Sequence, residues 1–224
     1  MMEDKDVRNP FVARIMLENE KSKARLYYKE NPGSLIPLFE KELKDLGFEF
    51  ETSSQTFGFM PKYKNVIVPI AFKYYQLAKE MNMPNEQNHF IGFFRIKGLD
   101  EIVPLLLSDF YSDKTTNLTR WLISDCIYQI KSKQFIEEYL NIASNRAFGI
   151  NRQMIILLLG KLKDESAVPT LIALLDDEEV RLQAICALSE FKRRDFRCYF
   201  ERFQSSTNAG WRKYSKKAIQ KLDS

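Results

Sequence analysis

One histidine, three scattered cysteines and one acidic run are what this chain offers to chemistry, and none of them has the company that catalysis needs. His89 lies in Asn88-His89-Phe90-Ile91 with no cysteine or paired carboxylates at ligand spacing, so it reads as a structural or surface histidine. Cys126, Cys186 and Cys198 show no CxxC spacing and read as buried free thiols. Asp176-Asp177-Glu178-Glu179 concentrates negative charge but lacks the alternating oxygen ligands and the glycine of a calcium loop. An acidic turn ahead of a helix is already accounted for by the helix dipole. There is no glycine-rich phosphate loop, no GxSxG and no HExxH. No cofactor, metal or catalytic residue is expected.

The elements that would position any functional side chain show themselves through four arginines. Thr119-Arg120-Trp121 to Ile130, Asn151-Arg152-Gln153 to Leu162, Val180-Arg181-Leu182 to Phe191 and Trp211-Arg212-Lys213 to Leu222 repeat one pattern, with steps of 32, 29 and 31 residues between the arginines. In the clearest copy, Val180, Ala184, Ala187, Leu188 and Phe191 fall on one stripe of an α-helix. The matching stripes are Thr119, Ile123, Cys126, Ile127 and Ile130 in the first copy, and Trp211, Ser215, Ala218, Ile219 and Leu222 in the fourth. Recurrence at this period, with small residues mid-stripe, predicts stacked helix pairs.

A second helix is predicted ahead of each stripe. Ser166 to Leu175 contains Ala167-Val168-Pro169-Thr170-Leu171, and Leu99 to Leu106 reads almost identically around Val103-Pro104. With Ser166 as N-cap, Pro169 lies in the first turn, where its missing N–H removes no helical hydrogen bond.

Asp164 to Asp177, followed by Val180-Arg181-Leu182-Gln183-Ala184-Ile185-Cys186-Ala187-Leu188, resembles the HEAT repeats, and more closely the short bacterial HEAT-like repeats. The resemblance is carried by residues 151–191 and extends over 99–150 and 192–222, where Asn208 replaces the turn aspartate. It implies an all-α, right-handed α-α superhelix. It also implies that a turn acid and an early second-helix arginine lock adjacent repeats, roles that fall on Asp177 and Arg181 within the ladder Arg120, Arg152, Arg181 and Arg212.

At 224 residues, 45% hydrophobic and 29% charged, the chain can bury a continuous core. No run of eighteen apolar residues occurs, and Met1 to Asn9 lacks the apolar middle of a signal peptide, so no membrane association and a cytoplasmic location are the expectation. Residues 99–224 are expected to form one continuous solenoid, and 1–98 an irregular helical region with a degenerate repeat. Within that region, helices are predicted over Phe11 to Glu30, ended by Asn31-Pro32-Gly33, and over Ser34 to Leu46, stopped by Gly47. Phe48 to Phe59 alternates aromatic and polar residues and predicts an extended loop or small hairpin. Val66 to Met81, with Val68-Pro69-Ile70, restarts the first-helix pattern; Glu86 to Ile96 can partner it, with Glu86 near the place of the arginine.

Partners are addressed by charge and by one column of side chains. From Lys192 to Ser224, ten Lys or Arg stand against three acids, a net +7 that leaves −3 for the rest of a chain whose total is +4. Such an end could steer nucleic acid or an acidic protein, or could be the polar cap that closes a solenoid. Trp121 and Asp125 lie one turn apart off the apolar stripe, with Tyr128 a further turn on. The equivalent column continues through Gln153 and Leu157, Leu182 and Cys186, then Lys213 and Lys217. In HEAT-like solenoids this column lines the concave face, which makes Trp121, Asp125, Tyr128, Gln153, Leu182, Lys213 and Lys217 the candidate binding residues.

Trp121 beside Asp125 is also similar to the HEAT-like alkyl-base DNA glycosylases, in which aromatic walls and an aspartate hold a damaged base. That resemblance would make Asp125 catalytic and Arg152 a phosphate contact. Against it, the helix due to supply another aromatic wall offers Ala187 and Leu188. The expected function is therefore non-catalytic recognition of a macromolecule, a protein first, with the DNA-binding or base-excising enzyme as the alternative.

Overall fold

A computed structural model describes residues 18–19, 21–23 and 26–223. Phe11 and Ile15, part of the helix expected from Phe11, lie outside them; residues 26–30 are helical. Two compact units divide the chain at Phe93 and Phe94, five residues before the boundary expected from the repeat pattern.

In the first unit, α1 (Ile36–Asp45) buries Ile36, Phe39 and Leu43. It ends at Gly47, whose φ of 87° lies in the left-handed region that glycine enters without a Cβ clash. The 48–59 stretch forms no hairpin: residues 48–52 are irregular and Ser53–Gly58 is a 3-10 helix. The apparent alternation has a packing cause, because Phe48 meets the Tyr63 ring at 5.2 Å and Phe57 meets Phe93 at 4.7 Å. The next helix, α2 (Met60–Glu80), starts well before Val66 with Pro61 in its first turn, and its dihedrals break at Tyr63. Pro69 therefore sits inside a helix and does not start one. Helix α3 (Pro84–Ile91) packs on α2. It carries a fully buried Glu86 that accepts hydrogen bonds from Tyr27 Oη at 2.9 Å and Ser34 Oγ at 2.7 Å. Burial, then the Glu86 hydrogen bond, pushes the Tyr27 hydroxyl up to about 12.

In the second unit, four helix pairs follow one another. The first helices are α4 (Val103–Tyr111), α6 (Ile136–Ser144), α8 (Val168–Ala173) and α10 (Arg197–Glu201); their partners are α5 (Asn117–Ile130), α7 (Gln153–Leu162), α9 (Arg181–Glu190) and α11 (Ala209–Asp223). Each first helix packs on its own second helix, and α5, α7, α9 and α11 pack in succession. Among the described residues there is no strand, so the fold is all-α with a repeat-solenoid order of elements.

The stripes read from sequence form the core, except that Phe191 and Trp211, each at one end of its stripe, are only half-buried. Thr119, Ile123, Cys126, Ile127 and Ile130 are buried, as are Val180, Ala184, Ala187 and Leu188, then Ser215, Ala218, Ile219 and Leu222. Close approach is sharpest at Gly160, where an added Cβ would lie 2.4 Å from Ala187 Cα, so α7 and α9 require glycine there.

Ser166 is not the N-cap of the α8 region. Asp164 takes that place, its carboxylate accepting from Ser166 N–H at 3.0 Å, and a 3-10 turn over Glu165–Ala167 precedes the α-helix. The same order, a 3-10 turn at Asp100–Ile102 and then an α-helix with proline in its first turn, opens α4. The first three second helices end on lysine: Lys131, Lys163 and Lys192 adopt φ of 60°, 54° and 54°.

Candidate binding surface

The arginine ladder is internal. The position four residues before each arginine holds the residue that opens the second helix. Thr116 accepts from Thr119 N–H, Asp177 from Glu179 N–H, and Asn208 from Gly210 and Trp211 N–H. Only Phe148 departs from this capping chemistry at that position.

The first three guanidiniums turn back onto carbonyls left open where the preceding first helix ends, and the fourth onto the turn that follows it. Arg120 Nε donates to Phe110 O at 2.8 Å, Arg152 Nη1 to Ala143 O at 3.2 Å and Arg181 Nε to Leu175 O at 2.6 Å; Arg212 donates to Ser206 O.

What the arginine meets in the next repeat differs along the stack. Arg120 lies 5.8 Å from the Phe148 ring. Arg152, fully buried, reaches Asp177 at 3.0 Å and Glu179 at 3.3 Å. Arg181 sits 4.2 Å from the Trp211 ring and 5.5 Å from Phe203. Asp177 thus meets Arg152 of the repeat before it, whereas Arg181 looks forward to the indole of the repeat after it.

The glycosylase-like constellation is not assembled. Asp125 is buried rather than open, and Arg95 Nη2 meets its Oδ2 at 2.6 Å. Arg152 has no exposed surface from which to touch a phosphate. The corrections share a cause: helical spacing places a residue on a face but does not show what other segments bring against that face. Trp121, 36% exposed, does stay open. With Leu118 (60%) and Ile150 (57%) it lines a cleft of about 450 Å³ that also includes Asn117, Phe148 and Glu179. Leu118 and Ile150 escaped sequence reasoning because both lie outside the twelve-residue pattern.

The candidate column is one edge of a grid. On α7, Gln153, Leu157 and Lys161 follow one another at four-residue steps; Leu182, Cys186 and Glu190 do so on α9, and Lys213, Lys217 and Lys221 on α11. Contacts tie the rows together: Gln153 Nε2 donates to Glu179 O at 3.2 Å, and Glu190 receives both Lys161 and Lys221 at 3.2 Å. Burial alone would raise the Glu190 carboxyl, but hydrogen bonds from Lys221 and Lys161 hold it below the usual carboxylate range. Leu182 and Cys186 are half-buried, Lys213 and Lys217 exposed, and Tyr128 half-buried outside these rows. Burial pushes the Cys186 thiol up to about 11, while Cys198 is exposed and so departs from the buried-thiol expectation.

His89 is packed edge-on to Phe90 and Phe93, and burial brings it down to about 4, the behaviour of a neutral packing group. Among the described residues no group of three or more His, Cys, Asp or Glu could hold a metal ion, and no helix is long and apolar enough to cross a membrane.

Residues 136–201, which span α6 to α10, match the family model for HEAT repeats. The matched segment consists of HEAT repeats. No curated protein and no solved structure matches the chain. HEAT repeats are helical scaffolds that commonly mediate interactions, and the match falls on the part of the chain where the buried Arg152 joins two repeats.

Proposed function

We propose that the chain is a non-catalytic HEAT-repeat binding protein that recognises another protein on the concave face formed by its successive second helices. The single observation that carries this reading is the open apolar cleft of Leu118, Trp121 and Ile150. Large apolar groups grouped at the surface of a folded chain mark sites that a partner covers, and tryptophan is prominent among residues that dominate interface energies. Support also comes from the ladder, since arginines satisfied within the fold leave the rows beside them to do the recognising. Asp125 takes no binding role, because its charge is already matched by Arg95. Recognition would rest on shape and charge complementarity, in a cytoplasmic setting.

The test is a dissociation constant measured against a captured and identified partner for wild type and Trp121→Ala. Affinity should fall roughly thirtyfold, about 2 kcal/mol, with melting temperature nearly unchanged. Equal affinity, or a collapsed melting temperature that makes Trp121 a core residue, contradicts the proposal.

A further inference from the structure

The basic stretch from Lys192 onward neutralises most of its arginines within the chain. Arg193 pairs with Glu165 and Asp195, Arg197 with Asp223 and Arg202 with Asp176. The lysine row of α11 departs from that habit. Lys213, Lys217 and Lys221 stand at four-residue steps, so like charges face one another across each turn and oppose the helix. Only Lys221 has a carboxylate, the Glu190 that it shares with Lys161. Among the described residues Lys213 and Lys217 make no ion pair; their ammonium groups flank the exposed Tyr214 ring at 6.0 and 5.6 Å. Beside this row run the half-buried Leu182 and Cys186, apolar ground next to the basic edge.

We propose that the face formed by the Leu182–Cys186 row of α9 and the lysine row of α11 docks an acidic segment of a protein partner. This rests on the binding-protein reading above and names the chemistry of the partner. Carboxylates would neutralise Lys213 and Lys217, removing the repulsion within the row, while neighbouring apolar side chains cover Leu182 and the Cys186 thiol. A protein fits better than a nucleic acid here. Of the five guanidinium groups in the stretch, which could grip phosphate in two-pronged fashion, Arg193, Arg197 and Arg202 hold carboxylates and Arg212 holds carbonyls, and the strip beside the lysines is apolar.

The experiment uses the full chain with Cys198→Ser, so that Cys186 is the reporting thiol, and a fluorescent peptide of repeated Glu-Glu-Leu. Its Gln-Gln-Leu counterpart and a DNA duplex serve as competing probes. The acidic peptide should bind with an affinity that weakens as salt rises, and should slow alkylation of Cys186. Lys213→Glu with Lys217→Glu should weaken it about tenfold or more, and the milder Lys213→Gln with Lys217→Gln by less, with melting temperatures held near wild type. Equal binding of the two peptides, indifference to charge reversal, or unchanged Cys186 alkylation overturns the inference. Duplex DNA that binds more tightly and displaces the peptide also overturns it, in favour of a nucleic-acid surface. Because the Trp121 cleft is untouched in these variants, a partner still captured through Trp121 would leave the broader proposal standing while this one fails.

Discussion

The joint at Arg152 and the joint at Arg181 occupy the same place in consecutive repeats and are built from different materials. At Arg152, a fully buried guanidinium meets Asp177, which is itself buried and also opens the next second helix. One repeat later Asn208 stands where Asp177 stood; it still opens its helix but carries no charge, and Arg181 lies over the Trp211 ring, its carboxylate partner being the exposed Glu178 at 3.6 Å in its own repeat. Arg181 is also less buried, so water shares its solvation. The comparison separates two duties of the turn residue. Capping needs only a side-chain oxygen, whereas holding a buried cation needs a carboxylate or the face of an aromatic ring.

The largest expected effect is therefore at the charged joint. Arg152→Ala removes a buried partner of Asp177 and leaves the Ala143 carbonyl without its donor, so denaturant unfolding should show a loss of about 3 to 5 kcal/mol. Arg181→Ala should cost less, about 1 to 3 kcal/mol, from the lost Leu175 carbonyl contact and the indole stacking. Equal losses at the two sites would erase the distinction between the joints. The smallest effect is a gain. Lys163 closes α7, between the two joints, with a left-handed backbone, and Lys163→Gly should raise stability by about 0.5 to 1 kcal/mol by removing the Cβ clash. A loss there would show that the lysine stem contributes packing that outweighs its strain.

Periodicity made the second helices legible, because one residue in each stripe faces the core at every turn and the pattern survives substitution of Leu by Ile, Ala or Ser. Proline was a less faithful guide. Pro104 and Pro169 open their helices, but Pro69 lies inside α2, since a second start signal at Pro61 lies upstream. Three helix ends, near Ile130, Leu162 and Phe191, came from the repeat and not from a stop signal, because lysine stands at the left-handed position after each where glycine is the usual signal. At the surface, local spacing expected both Trp121 and Asp125 to be open; Trp121 is exposed and Asp125 is buried. The side chain that pairs with Asp125, Arg95, comes from a segment outside the repeat pattern, and a one-dimensional reading has no access to that encounter.

A double-mutant cycle between Arg152 and Asp177, followed by equilibrium unfolding, tests the comparison most directly. If the two side chains hold adjacent repeats together as a buried ion pair, Arg152→Ala and Asp177→Ala should be strongly non-additive, with a coupling of about 2 kcal/mol or more. Losses that add to within about 0.5 kcal/mol would show that the pair is only near contact, and that the repeats are joined by their apolar stripes alone.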